Sequence, residues 1–168
     1  MTAFVALLRA VNVAGTGKLP MAELQAIGEA CGFGAVRTFI ASGNLLFASD
    51  RDEADVVAML EERLERFAGK RIPLFVRSAA EMAEVAARNP FGDDKPSRVM
   101  AHFIAEPPSA AMLAQATGVA GERMAIGPRA IYVSYGEGIG KTKLKLPAVR
   151  QGTARNMSSV AKIAGLLA

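Results

Sequence analysis

Residues 35–47 read AVRTFIASGNLLF, and this stretch decides the fold that the sequence predicts. Val36, Thr38 and Ile40 alternate with other side chains over residues 35–41, which is typical of a β-strand. Ser42-Gly43-Asn44 then supplies the small and turn-forming residues of a tight connection, and an apolar segment follows it. The stretch therefore predicts an antiparallel hairpin, with its third strand starting at residues 45–47.

Elements on both sides of this hairpin complete a β-α-β-β-α-β order. Residues 3–9 (AFVALLR) form a nearly unbroken apolar run, which indicates a central strand buried on both faces. Apolar residues at helical spacing predict a helix between Pro20 and Gly32. A second helix starts at a capping box of Asp50 and Glu53, and a short strand at 73–76 follows it. The apolar stripe of that helix consists of Val56, Leu60, Leu64 and Phe67. This order is the split βαβ, or ferredoxin-like, pattern.

The second half of the chain predicts another small α+β unit. Its predicted elements are a helix at 78–88, a strand at 99–105, a helix at 109–117, two strands at 123–126 and 129–135, and a last helix capped by Asn156. The fold prediction is therefore α+β. An N-terminal ferredoxin-like unit over residues 1–77 packs against a second small α+β subdomain over residues 78–168, which carries a basic C-terminal segment.

Length and composition exclude several classes of protein. With 168 residues and 51% of them hydrophobic, the chain is long enough for a substantial core. Cys31 is the single cysteine, so no disulfide framework exists, and a small buried apolar group is the expected role. One cysteine and one histidine cannot assemble the usual metal-ligand sets, although carboxylates alone could hold Mg²⁺. We expect no metal site, and no cofactor is expected either. No signal-peptide pattern and no long uncharged apolar run occur, which predicts a cytoplasmic protein without membrane association.

Charge is distributed unevenly along the chain. Residues 129–168 hold seven Lys or Arg and one Glu, a net charge of +6, while residues 1–128 carry −2. A phosphate or nucleic-acid surface shows such asymmetry, and so does a basic tail that neutralises an acidic neighbour. The chain has no Trp and only two Tyr, which argues against a base-stacking platform.

The basic excess follows a glycine loop. Residues 131–156 read IYVSYGEGIGKTKLKLPAVRQGTARN, an apolar strand that delivers Gly136, Gly138 and Gly140 to the rim of a sheet. Glycine permits positive φ and close backbone approach, so the loop's N–H groups can line a site for an anion. The cations that follow are Lys141, Lys143, Lys145, Arg150 and Arg155. A tight turn followed by a solvated lysine face explains the same pattern. Residues 141–146 fit either a half-buried strand or a helix.

Two motifs in this half do not support catalysis. Residues 136–142 (GEGIGKT) have three residues between the first Gly and the Gly-Lys pair, whereas a P-loop requires four. Pro147 would also interrupt a helix starting at Lys141, so a P-loop NTPase is not expected. His102 lies within a predicted strand with no carboxylate or cysteine near it in sequence. It is therefore interpreted as a packed or surface histidine rather than a general base.

The ordered set of motifs LLRAVNVAG, PMAEL, IASGNLLF, NPF, GIGKTKL and TARN resembles the bacterial family known as domain of unknown function 1697 (DUF1697). The resemblance implies an α+β architecture with a ferredoxin-like part and no assigned activity. The residues that match the family's characteristic positions are Arg9, Asn12, Ser42, Gly43, Asn44, Gly140, Lys143, Leu144, Arg155 and Asn156. Ala10 and Ala14 stand where the family commonly has glycine, and Met157 stands where it commonly has an aromatic residue.

These observations predict a binding protein for a phosphate-bearing ligand, either a nucleotide or nucleic acid, at one cationic edge lined by glycine. Charge would come from Arg9, Lys18, Lys141, Lys143 and Arg155, and hydrogen bonds that orient the ligand would come from Asn12, Ser42 and Asn44. One alternative is an enzyme that acts on a phosphorylated or nucleotide substrate at the same edge. Another is an assembly protein whose basic edge meets an acidic partner or a second copy. The sequence leaves enzymatic activity and oligomeric state open.

Overall fold

The protein is a mixed α+β structure, as the sequence predicts. A computed structural model describes residues 1–9, 19–40, 43–136 and 139–168. Within these residues it contains two four-stranded sheets and five α-helices. The chain divides into two compact units, Met1–Ala79 with Leu166–Ala168 and Ala80–Gly165.

The first unit follows the predicted order of elements. Its elements are β1 (Thr2–Leu8), α1 (Met21–Ala30), β2 (Gly34–Thr38), β3 (Asn44–Ser49), α2 (Glu53–Ala68) and β4 (Leu74–Ser78). The strands lie in the order β2-β3-β1-β4, and β1 pairs antiparallel with both β3 and β4. This order is compatible with the split βαβ pattern.

Strand β1 lies at the centre of the first unit because nearly all its side chains are apolar. Every second side chain of the strand, Phe4, Ala6 and Leu8, belongs to one hydrophobic cluster. This cluster also contains Leu24 of α1 and Leu60 of α2. The residues between them are fully buried as well, as expected of a strand buried on both faces. Burial of apolar side chains at about 25 cal/mol per Å² is the main force that holds this sheet to its helices.

Helix α2 begins later than the sequence predicts, and its apolar stripe is one residue shorter than predicted. Its N-cap is Asp52, whose carboxylate accepts a hydrogen bond of 2.9 Å from the Asp55 N–H, so the prediction of Asp50 is wrong. Asp50 lies two residues too early to reach the free N–H groups of the first turn. The predicted apolar stripe ends at Leu64, since Phe67 is 44% exposed.

The remaining elements belong to the second sheet and the helices around it. They are α3 (Ala79–Ala87), β5 (Val99–Phe103), α4 (Ala110–Ala114), β6 (Arg123–Gly127), β7 (Ala130–Ser134), β8 (Thr153–Asn156) and α5 (Met157–Leu167). The strand order is β6-β7-β5-β8, with all three pairings antiparallel. Strand β8 was not predicted. Asn156 caps α5 as predicted, because its side-chain oxygen accepts from the Ser159 N–H at 2.9 Å.

Residues 141–146, between β7 and β8, form neither the strand nor the α-helix that their pattern allowed. The described residues of the segment between β7 and β8 contain two 3₁₀ turns, Ile139–Lys141 and Pro147–Val149, and a single β-bridge between Lys145 and Thr117. Leu146 is buried against Ile131 and Val133 of β7, which anchors the segment to the sheet. None of the helices in the described ranges combines the length and apolarity that a membrane crossing requires.

Candidate functional site

A cleft of about 720 Å³ opens in the second unit where the lysine-rich segment passes the loop that leads into β6. Its lining comes from three parts of the chain: the loop before β6, the two residues that follow β7, and residues 141–143, which follow Gly140. The lining residues are Gly118, Val119, Ala120, Gly121, Glu122, Tyr135, Gly136, Lys141, Thr142 and Lys143. Two of the predicted binding residues, Lys141 and Lys143, therefore share one hollow.

Backbone contacts hold the two sides of the cleft together. The Lys145 N–H donates to the Thr117 carbonyl at 2.8 Å, and the Thr117 N–H donates to the Lys145 carbonyl at 2.9 Å. Gly118 has φ +70°, and a Cβ atom there would lie 2.2 Å from the Lys143 carbonyl oxygen. Only glycine combines this φ with this close approach, so the width of the cleft depends on Gly118.

The two lysines of the cleft keep their charge available to solvent. Lys141 and Lys143 are both exposed, and neither forms an ion pair within the part of the chain that the structure describes. Their backbone is ordered by Thr142, whose N–H donates to the Ile139 carbonyl at 3.3 Å and whose hydroxyl accepts from the Leu144 N–H at 3.1 Å. Two exposed lysines on one anchored turn favour the approach of an anion.

Among the lining residues that the structure describes, Glu122 is the one that carries a carboxylate. It accepts the Ala120 N–H at 3.0 Å and 3.3 Å through its two oxygens, and the Thr142 hydroxyl donates to it at 3.4 Å. These bonds fix the orientation of the carboxylate and tie one side of the cleft to the other. Together with the two lysines, Glu122 gives the described lining residues a formal charge of +1.

Tyr135 connects the cleft to the only histidine of the sequence. Its hydroxyl lies 3.0 Å from Nε2 of His102, which is 9% exposed in the middle of β5. Burial lowers the pKa of His102 to about 4, so the imidazole is neutral near pH 7. Burial, and secondly the negative charge of Glu122, raises the pKa of the Tyr135 phenol. His102 is thus a packed histidine, one of the two roles expected for it.

The predicted ligand-binding residues of the first unit either form hydrogen bonds within the fold or lie outside the residues that the structure describes. Asn44 is fully buried, and its side-chain amide donates to the Phe39 carbonyl at 2.8 Å across the turn of the hairpin. Arg9 follows β1, is partly buried, and its backbone N–H donates to the Pro73 carbonyl at 2.9 Å. Three further predicted residues, Asn12, Lys18 and Ser42, lie outside the described residues.

Arg155 does not line the cleft, although it was expected to supply charge there. Strand β8 places it opposite Ala101 of β5, on the buried face that it shares with Thr153. Its guanidinium donates to the Thr153 hydroxyl and to the Ala154 carbonyl, each at 2.9 Å. Burial lowers the pKa of Arg155 to about 10. The geometry therefore assigns Arg155 to the internal structure of the sheet edge.

Two other hollows fit an anion less well. A cavity of about 500 Å³ beside α4 has Glu106 as its charged lining residue, which would repel an anion. A groove of about 330 Å³ between α1 and α2 contains Arg63 and Arg66, and Arg66 is already paired with Glu62 at 2.6 Å. In the described ranges no cluster of three His, Cys, Asp or Glu side chains is placed to hold a metal ion.

Sequence reasoning missed Gly118, Glu122, Tyr135 and Thr142 as site residues. Gly118-Val119-Ala120-Gly121 was recognisable as a glycine-bounded loop. The partner of this loop was not recognisable, since the bridge from Thr117 to Lys145 joins residues that are 28 positions apart in the chain. Tyr135 was predicted only as the end of a strand.

Comparison with known proteins gives a family and a structural relative. The model of a family described as "Protein of unknown function (DUF1697)" matches residues 1–132. Among solved structures, the chain is similar to the conserved bacterial protein SP0830 from Streptococcus pneumoniae, with a TM-score of 0.82 and 26% sequence identity over 99% of each chain. No curated protein matches the chain. Neither description names a ligand or a reaction.

Proposed function

Because the chain belongs to the DUF1697 family, whose description assigns no activity, we propose a function from the geometry of the cleft: it binds a phosphate-bearing ligand. Lys141 and Lys143 would contact the phosphate oxygens, and the Thr142 hydroxyl lies between them in sequence. We also propose that the protein works in the reducing cytoplasm, because it has a single cysteine and therefore no disulfide framework.

The observation that carries this proposal is the pair of exposed lysines on an anchored turn beside a cleft of about 720 Å³. Solvated lysine runs on a flat face also attract anions, but they offer no concave surface that removes a ligand from water. Enclosure strengthens the interaction of charge with charge because it lowers the local dielectric constant. The cleft is therefore the place where the basic segment can bind with some specificity.

Replacing both lysines, Lys141→Ala with Lys143→Ala, is expected to weaken phosphate-ligand binding at least about tenfold, because each lysine supplies a charge-assisted hydrogen bond. The measurement is calorimetric titration of the full chain with inorganic phosphate, the four ribonucleoside monophosphates and a single-stranded oligonucleotide. For wild type, affinity should fall as salt rises from about 50 to 200 mM.

The matched control is Lys95→Ala with Lys162→Ala, which removes the same charge from two exposed positions outside the cleft. This variant should bind within about twofold of wild type. Equal losses in the two variants would show non-specific attraction to net charge and would contradict the proposal. Binding of the oligonucleotide with no binding of any mononucleotide would identify nucleic acid as the ligand.

An enzyme acting on such a ligand is the second candidate, and the observation that favours it is the Tyr135–His102 pair. Tyr135 lines the cleft with its hydroxyl 3.0 Å from Nε2 of His102, so a titratable phenol would lie beside a bound substrate. Phosphorus NMR of the titration samples distinguishes the two candidates, because turnover changes the phosphate signal with time and binding alone does not.

A further inference from the structure

We propose that the cleft selects a ribonucleotide rather than a bare phosphate, and that Glu122 selects it by accepting hydrogen bonds from the ribose diol. This inference rests on the proposed function, since it presumes that Lys141 and Lys143 hold a phosphate group. It adds a class of ligand and a residue that determines specificity.

The size of the cleft is the first argument. Pockets that hold ligands of nucleotide or drug size measure about 300–1,000 Å³, and this cleft measures about 720 Å³. An inorganic phosphate ion would occupy a small part of that space. A phosphate ion bound by the two lysines would not contact the rest of the lining.

The chemistry of the remaining lining is the second argument. Glu122 is a fixed carboxylate that repels a phosphate and attracts a hydrogen-bond donor, so a ligand that suits this cleft carries both groups. The carboxylate receives the Ala120 N–H and the Thr142 hydroxyl, and its two oxygens offer about four acceptor positions. The vicinal hydroxyls of a ribose are donors that a carboxylate can accept together.

An apolar surface in the same cleft is the third argument. Val119 is 50% exposed, and with Ala120 and the ring of Tyr135 it offers a small apolar surface to the ligand. One planar base would cover this surface and gain stacking or apolar contact. The chain has only two Tyr and no Trp, which fits a site for one base better than a track along a polymer.

The test compares each ribonucleoside monophosphate with its 2′,3′-dideoxy counterpart, in wild type and in Glu122→Gln, by calorimetric titration of the full chain. Glutamine keeps one oxygen to accept the Ala120 N–H, so the loop should retain its fold, which thermal melting checks. The control is Glu65→Gln, which removes the same charge from an exposed position on α2. Inorganic phosphate is titrated into all three proteins.

Wild type and Glu65→Gln should bind at least one ribonucleotide about tenfold more tightly than its dideoxy form, because a site built to pair a hydroxyl rejects an analogue that lacks it. In Glu122→Gln this preference should fall below about twofold, while affinity for inorganic phosphate stays the same or rises.

A preference that survives in Glu122→Gln would overturn the role of Glu122. Lysine-dependent phosphate binding with no preference for the diol in wild type would overturn the inference and leave the proposed function intact. Absence of any phosphate-ligand binding would overturn both.

Discussion

Replacing Gly118 by alanine is expected to lower the free energy of unfolding by about 3 kcal/mol and to abolish ligand binding in the cleft. An alanine at φ +70° costs about 1–2 kcal/mol in backbone strain. Its Cβ would also lie 2.2 Å from the Lys143 carbonyl oxygen, so the lysine-bearing segment must move away. Overpacking of this kind costs about 1–3 kcal/mol more.

Gly121→Ala is the matched control for this prediction. Gly121 belongs to the same loop and has φ +94°, but a Cβ atom there meets no atom within 4 Å. The Gly121→Ala variant should be less stable than wild type only by the backbone strain of about 1–2 kcal/mol, and it should keep most of its ligand affinity. Urea unfolding monitored by circular dichroism measures both variants. Equal destabilisation of the two proteins would contradict the claim that Gly118 sets the separation between the loop and the lysine-bearing segment.

Acidification from pH 7 to pH 4 is expected to remove about 3 kcal/mol of stability through His102 alone. Burial lowers the folded-state pKa of His102 to about 4, against about 6.5 in an unfolded chain. Between these values the unfolded state binds the proton and the folded state does not, so stability falls as pH falls. The contribution is fully present above pH 6.5 and is lost progressively down to about pH 4.

The variant His102→Gln tests this prediction, since glutamine can still hydrogen-bond the Tyr135 hydroxyl but does not titrate. Carboxylates also titrate in this range, so the informative quantity is the difference between the two proteins in unfolding free energy at each pH. The variant should lose about 3 kcal/mol less than wild type between pH 7 and pH 4. Parallel pH curves for the two proteins would rule out a buried neutral imidazole.

Local patterns in the sequence predicted the α+β fold because, in most helices and strands of this protein, the spacing of apolar residues follows the period of that element. The apolar run of β1, the alternation of β2 and the stripe of α2 as far as Leu64 match the burial found in the structure. Strand β8 was missed since its four residues, Thr153–Asn156, are too short for a period of two to be recognised. Its pairing with β5 comes from tertiary contact rather than from propensity.

The candidate site was predicted only in part for the same reason. Lys141 and Lys143 were identified from composition, and the structure places both at one cleft. Arg155 carries the same charge but lies in β8, where burial depends on which face of the strand it occupies. Glu122 had no local signal, because its importance comes from the pairing of two segments distant in sequence.

The most direct test of the central claim is a nitrogen–proton NMR titration of the full chain with ribonucleoside monophosphates at low salt. Binding in the cleft predicts saturable amide shifts concentrated at residues 118–122, 135–136 and 141–143, and their loss in the variant with Lys141→Ala and Lys143→Ala. Saturable shifts located elsewhere, such as around Arg63 and Arg66 of α2, or no shifts with any of the nucleotides, would contradict the assignment of this cleft as the ligand site.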